Sequence, residues 1–162
     1  MKVASSILAG DFSQFQKEIR RIEKAGADLI HLDVMDGVFV PNLTFGPMIV
    51  EAVRKVAKRP LDVHLMIVNP EKYIDQFLDA GADWLSFHFE ATARIPECVR
   101  KIKKRGKKAG LAISPATPFV YAERYLEKLD FLLVMSVRPG FYGQKFIPAA
   151  LEKIKAAKDA IV

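Results

Sequence analysis

His31, Asp33 and His64 are the residues of this chain whose types and spacing speak most directly of chemistry. His31 and Asp33 stand two apart in the run His31-Leu32-Asp33-Val34-Met35-Asp36-Gly37, which reads as a buried strand ending in a loop. Side chains on a strand alternate between faces, so His31, Asp33 and Met35 point one way and Leu32 and Val34 the other. Burying an imidazole and a carboxylate on one face is costly unless something pairs with them, and a divalent metal ion is the usual partner. His64 stands in a second run, Leu61-Asp62-Val63-His64-Leu65-Met66, whose Asp62, His64 and Met66 share a face. Each of these residues alone is an ordinary core polar group with a satisfied partner. Two imidazoles and a carboxylate at matching depth on adjacent strands instead make a divalent-metal site with room for one more ligand.

Other polar and flexible positions gather at the same ends of the apolar runs. Ser6, His88, Ser114 and Ser136 fall near predicted strand termini, as do Met35, Met66 and Met135, which would line the mouth of the site and lower its dielectric. His88 and Glu90 take a supporting place. Arg138-Pro139-Gly140-Phe141-Tyr142-Gly143-Gln144 follows the last strand. Two glycines flanking a short loop before a helix can turn backbone N–H groups toward an anion. Pro41-Asn42 and Ser114-Pro115-Ala116-Thr117-Pro118 are stiff loops at the same end.

The elements that must position these residues alternate along the chain. Strands are predicted over 3–8, 29–34, 61–67, 84–89, 108–114 and 131–137, and helices over 12–25, 47–57, 71–80, 95–105, 118–128 and from 148 onward. Ala25-Gly26-Ala27-Asp28-Leu29 echoes as Ala80-Gly81-Ala82-Asp83-Trp84, 55 residues later, an interval of two strand-helix units. Strictly alternating strands and helices imply an α/β protein with a parallel sheet, either doubly wound or a (β/α)8 barrel. No Gly-x-Gly-x-x-Gly loop follows the first strand, and polar residues end many strands rather than one, which favours the barrel of TIM type. Six units in 162 residues average about 27 each, so eight units need roughly 215. The expectation is a single incomplete barrel domain over 1–162, holding six of the eight units and continuing past Val162.

Composition narrows the function classes. The chain is 51% hydrophobic with a formal net charge of +6, and much of the positive charge lies in the run Arg94 to Lys108. No aromatic residues interleave there, so the run reads as a solvated helix face and no nucleic-acid partner is expected. No apolar stretch approaches the ~18 residues of a membrane span, so no membrane partner is expected either. The start is too soon polar for a signal peptide, and Cys98 is the single cysteine, which points to a cytoplasmic setting.

Several of these runs together resemble the ribulose-phosphate 3-epimerase family, in order along the whole chain. They are Ala4-Ser5-Ser6-Ile7-Leu8, the 31–37 run with Phe39-Val40-Pro41-Asn42, Asp62-Val63-His64-Leu65-Met66, Pro115-Ala116-Thr117-Pro118, and Met135-Ser136-Val137-Arg138-Pro139-Gly140-Phe141 with Gly143-Gln144. The resemblance implies a (β/α)8 barrel that interconverts the ketopentose phosphates D-ribulose 5-phosphate and D-xylulose 5-phosphate, and a homo-oligomer for the full-length protein. It implies one divalent metal ion (Zn, Fe, Mn or Co) held by two His and two Asp, of which His31, Asp33 and His64 match three. Asp33 matches one of two acid/base carboxylates, Ser6 and His64 match substrate contacts, and Gly140, Phe141, Tyr142 and Gly143 match part of a phosphate loop. The family's second Asp belongs to an Asp-Gly-Gly motif at the end of strand seven, beyond Val162. Arg138 and Ser114 stand where Asn is common and Tyr142 where Gly is common, which leaves a related substrate such as allulose 6-phosphate open. A partial barrel that binds or assembles without turnover is the alternative of another class.

Overall fold

Residues placed at strand ends meet only if the strands stop at one height, and parallel pairing in chain order achieves this. The computed structural model describes residues 1–161. Its strands are β1 (Ala4–Ser6), β2 (Leu29–Met35), β3 (Leu61–Met66), β4 (Trp84–His88), β5 (Lys108–Ile113) and β6 (Phe131–Val134). The helices are α1 (Phe15–Lys24), α2 (Pro47–Val56), α3 (Ile74–Asp79), α4 (Ile95–Lys104), α5 (Val120–Glu123) and α6 (Ala150–Ile161). All six strands form one sheet in the order β1-β2-β3-β4-β5-β6, every neighbour parallel. An order that never reverses has no switch point, so the sheet is an arc of a (β/α) barrel and not a doubly wound sheet.

The two faces of the arc divide the labour. Outward residues Ile30, Leu32, Val34, Leu61, Val63, Leu65, Leu85, Phe87, Leu111 and Ile113 join Ile19, Val50, Val53, Phe77, Val99 and Ile102 of the helices in one buried cluster. The inward face carries His31, Asp33, His64, Ser86 and His88, capped at the strand ends by a small cluster of Met35, Val40 and Met66. Register puts Asp33 beside His64 and His31 beside Asp62.

The echoed motif has a physical reason. Gly26 and Gly81 take φ of +92° and +109°, the left-handed turn that ends a helix. The Asp two residues on then staples two strands: Asp28 Oδ2 accepts from Val3 N at 2.8 Å and Asp83 Oδ2 from Leu61 N at 3.1 Å. Asp130, just before β6, repeats the device on Ala109 N at 2.9 Å, with no glycine before it to mark the repeat in sequence.

Several expected boundaries shift: the strand over 3–8 shrinks to β1 at Ala4–Ser6, and the helix over 71–80 divides into a 3₁₀ turn at Pro70–Lys72 and α3. The helix over 118–128 is the short α5 plus a 3₁₀ turn at Leu126–Lys128. Of α5 only Ala122 is buried, so little apolar surface sustains a longer helix. Strand four stops at His88, and Glu90 lies in a 3₁₀ turn, Phe89–Ala91. β6 pairs only through Val134, although Met135 N still donates to Ile113 O at 3.0 Å. Much of the basic run is paired: Lys103 and Lys108 meet Asp130, Lys101 meets Asp75, Arg105 meets Asp79 and Lys107 meets Asp83.

Gly110 makes room inside the arc. A Cβ there would stand 2.2 Å from Phe131 Cζ, and Phe131 itself packs against Trp84 with ring centroids 5.1 Å apart. Gly110→Ala is expected to lower the unfolding free energy by about 1–3 kcal/mol, measured by urea denaturation. The same substitution in a Phe131→Leu background costs less.

Candidate active site

Asp33 is the centre of the inward face, and both of its oxygens are engaged. Oδ1 lies 3.2 Å from His31 Nε2 and 3.5 Å from His64 Nδ1. Oδ2 accepts from Ser6 Oγ at 2.7 Å, and Ser6 Oγ in turn accepts from Leu8 N at 3.1 Å. Thr44 fixes the strand end, its hydroxyl donating to Asp33 O at 2.6 Å and accepting from Met35 N at 3.0 Å. Behind His31, Nδ1 donates to Asp62 Oδ2 at 2.8 Å.

Burial and pairing pull the charges of this group in opposite directions. For Asp33 burial alone would raise the pKa, but the hydrogen bond from His31 and the nearness of both His31 and His64 hold it well below the usual carboxylate range. For His31 burial alone would lower it, but Asp33 and Asp62 overcome this and raise it to about 10. His64 is fully buried, and that burial outweighs the pull of the nearby Asp33 carboxylate and, with charge from His88 and His31, lowers it to about 4. An ionised carboxylate thus sits between one imidazolium and one neutral imidazole.

The donor set fits a divalent metal ion. One atom each of His31, Asp33 and His64 lie within 4.8 Å of one another. Ligands about 2.1 Å from a tetrahedral zinc stand about 3.4 Å apart, against the 3.2 and 3.5 Å found from Asp33 Oδ1 to the two ring nitrogens. Asp62 stands where a carboxylate would orient His31 from behind were it to bind a metal.

Next to this group lies a cavity of about 210 Å³ lined by Ser6, Asp33, Met35, Met66, Met135 and the 137–142 segment, with Arg138, Gly140, Phe141 and Tyr142 among its walls. The three methionines predicted from strand ends therefore meet at one mouth. Gly143 lies outside this lining, exposed, with φ of +73°. His31 and His64 are not in the lining and stand behind Asp33. The 137–142 segment is tied to the loop after β2 by Asn42, whose Nδ2 donates to Gly140 O at 2.7 Å. Asp36 faces elsewhere: its carboxylate accepts from Val38, Phe39 and Val68 N and holds its own loop.

His88 and Glu90 form the supporting pair. His88 Nδ1 lies 2.9 Å from Glu90 Oε2, while Glu90 Oε1 accepts from Ser114 N at 2.9 Å and from the Thr117 hydroxyl. His88 stacks on His64, ring centroids 5.0 Å apart, with Phe39 packed on His88.

Asp62, Thr44 and Asn42 are the residues that spacing alone did not assign. Asp62 shares a face with His64, but its pairing with His31 on the next strand depends on register.

Comparison with known proteins places this geometry. The profile of the ribulose-phosphate 3 epimerase family matches residues 2–162. The chain is 54% identical over 158 residues to a ribulose-phosphate 3-epimerase of Bacillus subtilis, covering 98% of this chain and 73% of that protein. It is 52% identical over 158 residues to one of Synechocystis, covering 96% and 69%. Among solved structures, a tryptophan synthase α-subunit variant from Pyrococcus furiosus superposes with a TM-score of 0.72 at 14% identity, covering 98% of this chain and 74% of that one. A dihydropteroate synthase from Thermus thermophilus gives 0.62 at 16% identity, covering 99% and 68%. Both structural likenesses concern the fold.

Two measurements follow. Zinc titration with a competing chromophoric chelator is expected to show one site, with affinity about 10–100-fold lower in Asp62→Asn and binding lost in His64→Ala. For Glu90, burial alone would raise the pKa, but bonds from His88, Thr117 and Ser114 bring it down to about 2 from its ordinary 4.5. A depressed carboxylate stabilises the fold above its unfolded pKa and stops doing so as pH falls through its folded pKa. The stability gap between the unaltered chain and Glu90→Gln is therefore expected to be full at pH 6 and to close between about pH 4.5 and pH 2, read by denaturant unfolding at each pH.

Proposed function

The chain belongs to the ribulose-phosphate 3-epimerase family, and on that premise we propose that it acts at C3 of D-ribulose 5-phosphate, the carbon inverted to give D-xylulose 5-phosphate. Its place among named carbohydrate isomerases makes it an enzyme of that class. The observation that carries the substrate reading is Asp33, which forms the floor between the paired imidazoles and the methionine-lined cavity.

C3 adjoins the C2 ketone, so its proton becomes acidic only where negative charge developing on the ketone oxygen is stabilised. A divalent ion held by His31 Nε2, Asp33 and His64 Nδ1 would supply that stabilisation as a Lewis acid. Asp33 itself removes the proton to leave an enediolate, since its pairing keeps it ionised at neutral pH. Ser6, bonded to Oδ2, aims the carboxylate and contacts substrate at the cavity wall. Met35, Met66 and Met135 keep water from the reacting carbon. The backbone at Gly140, Phe141, Tyr142 and Gly143, with Arg138, receives the phosphate end.

Inversion needs a second acid/base group on the opposite face of C3. Asp33 is the one carboxylate in the lining of the cavity among the described residues. We therefore read this chain as competent for proton exchange at C3 and deficient in epimerisation, which separates it from a partial barrel that only binds. Cys98 is buried, and that burial, with Glu71 and Glu97 nearby, pushes its thiol up to about 12, which leaves it an unreactive structural thiol.

With a divalent metal in D2O, the chain is expected to wash deuterium into C3 of D-ribulose 5-phosphate while forming little xylulose 5-phosphate. Asp33→Asn is expected to slow the exchange by about 10²–10⁴-fold, followed by proton NMR. Exchange at the unaltered rate in that variant removes Asp33 from the role.

A further inference from the structure

Four buried polar atoms on the inward face of β3 and β4 have no hydrogen-bond partner among the described residues: Asp62 Oδ1, His64 Nε2, Ser86 Oγ and His88 Nε2. They form one patch. Register sets Ser86 directly beside His64, His88 stacks on His64, and Asp62 shares the face two residues before His64. Ser86 and His88 are 0% exposed and His64 1%. An unpaired polar group in such a place is costly, whereas a water with two to four polar partners resides there readily.

The donors and acceptors of the patch balance around one water. Asp62 Oδ1 can only accept. His88 Nδ1 faces the Glu90 carboxylate at 2.9 Å, which puts its proton on Nδ1 and leaves Nε2 as an acceptor. His64 Nδ1 stands 3.5 Å from Asp33 Oδ1, beyond the 2.7–3.2 Å of a good N–H···O bond, so that contact holds a proton on Nδ1 only weakly. In one closed arrangement the water accepts from His64 Nε2–H and from the Ser86 hydroxyl, and donates to Asp62 Oδ1 and His88 Nε2. Every orphaned atom then has a partner.

We propose that Ser86 is a positioning residue for His64: through one internal water it joins His64 Nε2, His88 Nε2 and Asp62 Oδ1, and so fixes His64 as the Nε2–H tautomer with the Nδ1 lone pair turned to Asp33. The same water then steadies both histidines of the candidate metal centre, because Asp62 also accepts from His31 Nδ1 at 2.8 Å. His88, locked by Glu90, presents a fixed acceptor to the same water. The proposal rests on the metal reading above for its purpose, although the network itself does not require a metal.

The test separates the two. Long-range ¹H–¹⁵N correlation on the metal-free, ¹⁵N-labelled chain at pH 7 reads the His64 tautomer directly. The unaltered chain is expected to carry the proton on Nε2. Ser86→Ala, which removes one oxygen and adds no bulk, is expected to let Nδ1–H in, with both ring nitrogens moving toward averaged shifts, and to weaken zinc binding about 10–100-fold at an unchanged circular dichroism spectrum. Ser86→Thr, which keeps the hydroxyl, is expected to restore the Nε2–H tautomer. An Nδ1–H tautomer in the unaltered chain, or an unshifted tautomer in Ser86→Ala whatever the zinc affinity, overturns the proposal. An unaltered chain that binds no zinc overturns the metal reading instead, and the tautomer still decides the network.

Discussion

Two imidazoles from adjacent strands converge on a single oxygen of Asp33, and most of the inward face is arranged to tolerate that convergence. A buried carboxylate is unfavourable by itself, and so is a buried imidazolium. Each becomes stable here because the other lies within 3.2 Å, with Ser6 taking the second carboxylate oxygen and Asp62 the far nitrogen of His31. The resulting chain, Ser6–Asp33–His31–Asp62, alternates acceptors and donors across three strands. It exists only in one register. A slip of β3 by one residue turns His64 and Asp62 to the helix side and brings Val63 and Leu65 against Asp33.

The outer face makes this possible by holding the strands in place without help from the inner one. The large apolar cluster lies between sheet and helices, and the three aspartates that staple β1, β3 and β5 lie at the opposite end of the strands from the polar group. Stability and chemistry are thus carried by different faces of the same strands. The loops at the reactive end are tied to one another, Asn42 to Gly140 and Glu90 to Ser114 and Thr117, so the cavity beside Asp33 is held by side chains from separate loops.

The fold was legible because strand alternation and helix stops are local. Leu32 and Val34 against His31 and Asp33 declare which face is buried in apolar surroundings, and Gly26 and Gly81 mark where helices end. The metal-type trio was legible for the same reason, since each member alternates with apolar residues on its strand and so declares the other face. What escaped depends on register and on distant chain. Asp62 is as polar as Asp33 in the sequence, and only the neighbour across the strand makes it the partner of His31. Asn42 and Gly140 lie 98 residues apart, and nothing in either loop names the other. Asp130 performs the work of Asp28 and Asp83 without the glycine that made the echo visible. Near α5, local apolar spacing overstated the helix, because a single buried alanine anchors it.

The central claim is that His31, Asp33 and His64 together hold one divalent ion. X-ray absorption fine structure of the chain loaded with one equivalent of zinc tests this most directly, because imidazole rings give a recognisable outer-shell scattering pattern. The account predicts two imidazoles with the remaining ligands oxygen, and one imidazole fewer in His64→Ala. A spectrum of oxygen ligands alone, or one unchanged by that substitution, contradicts it.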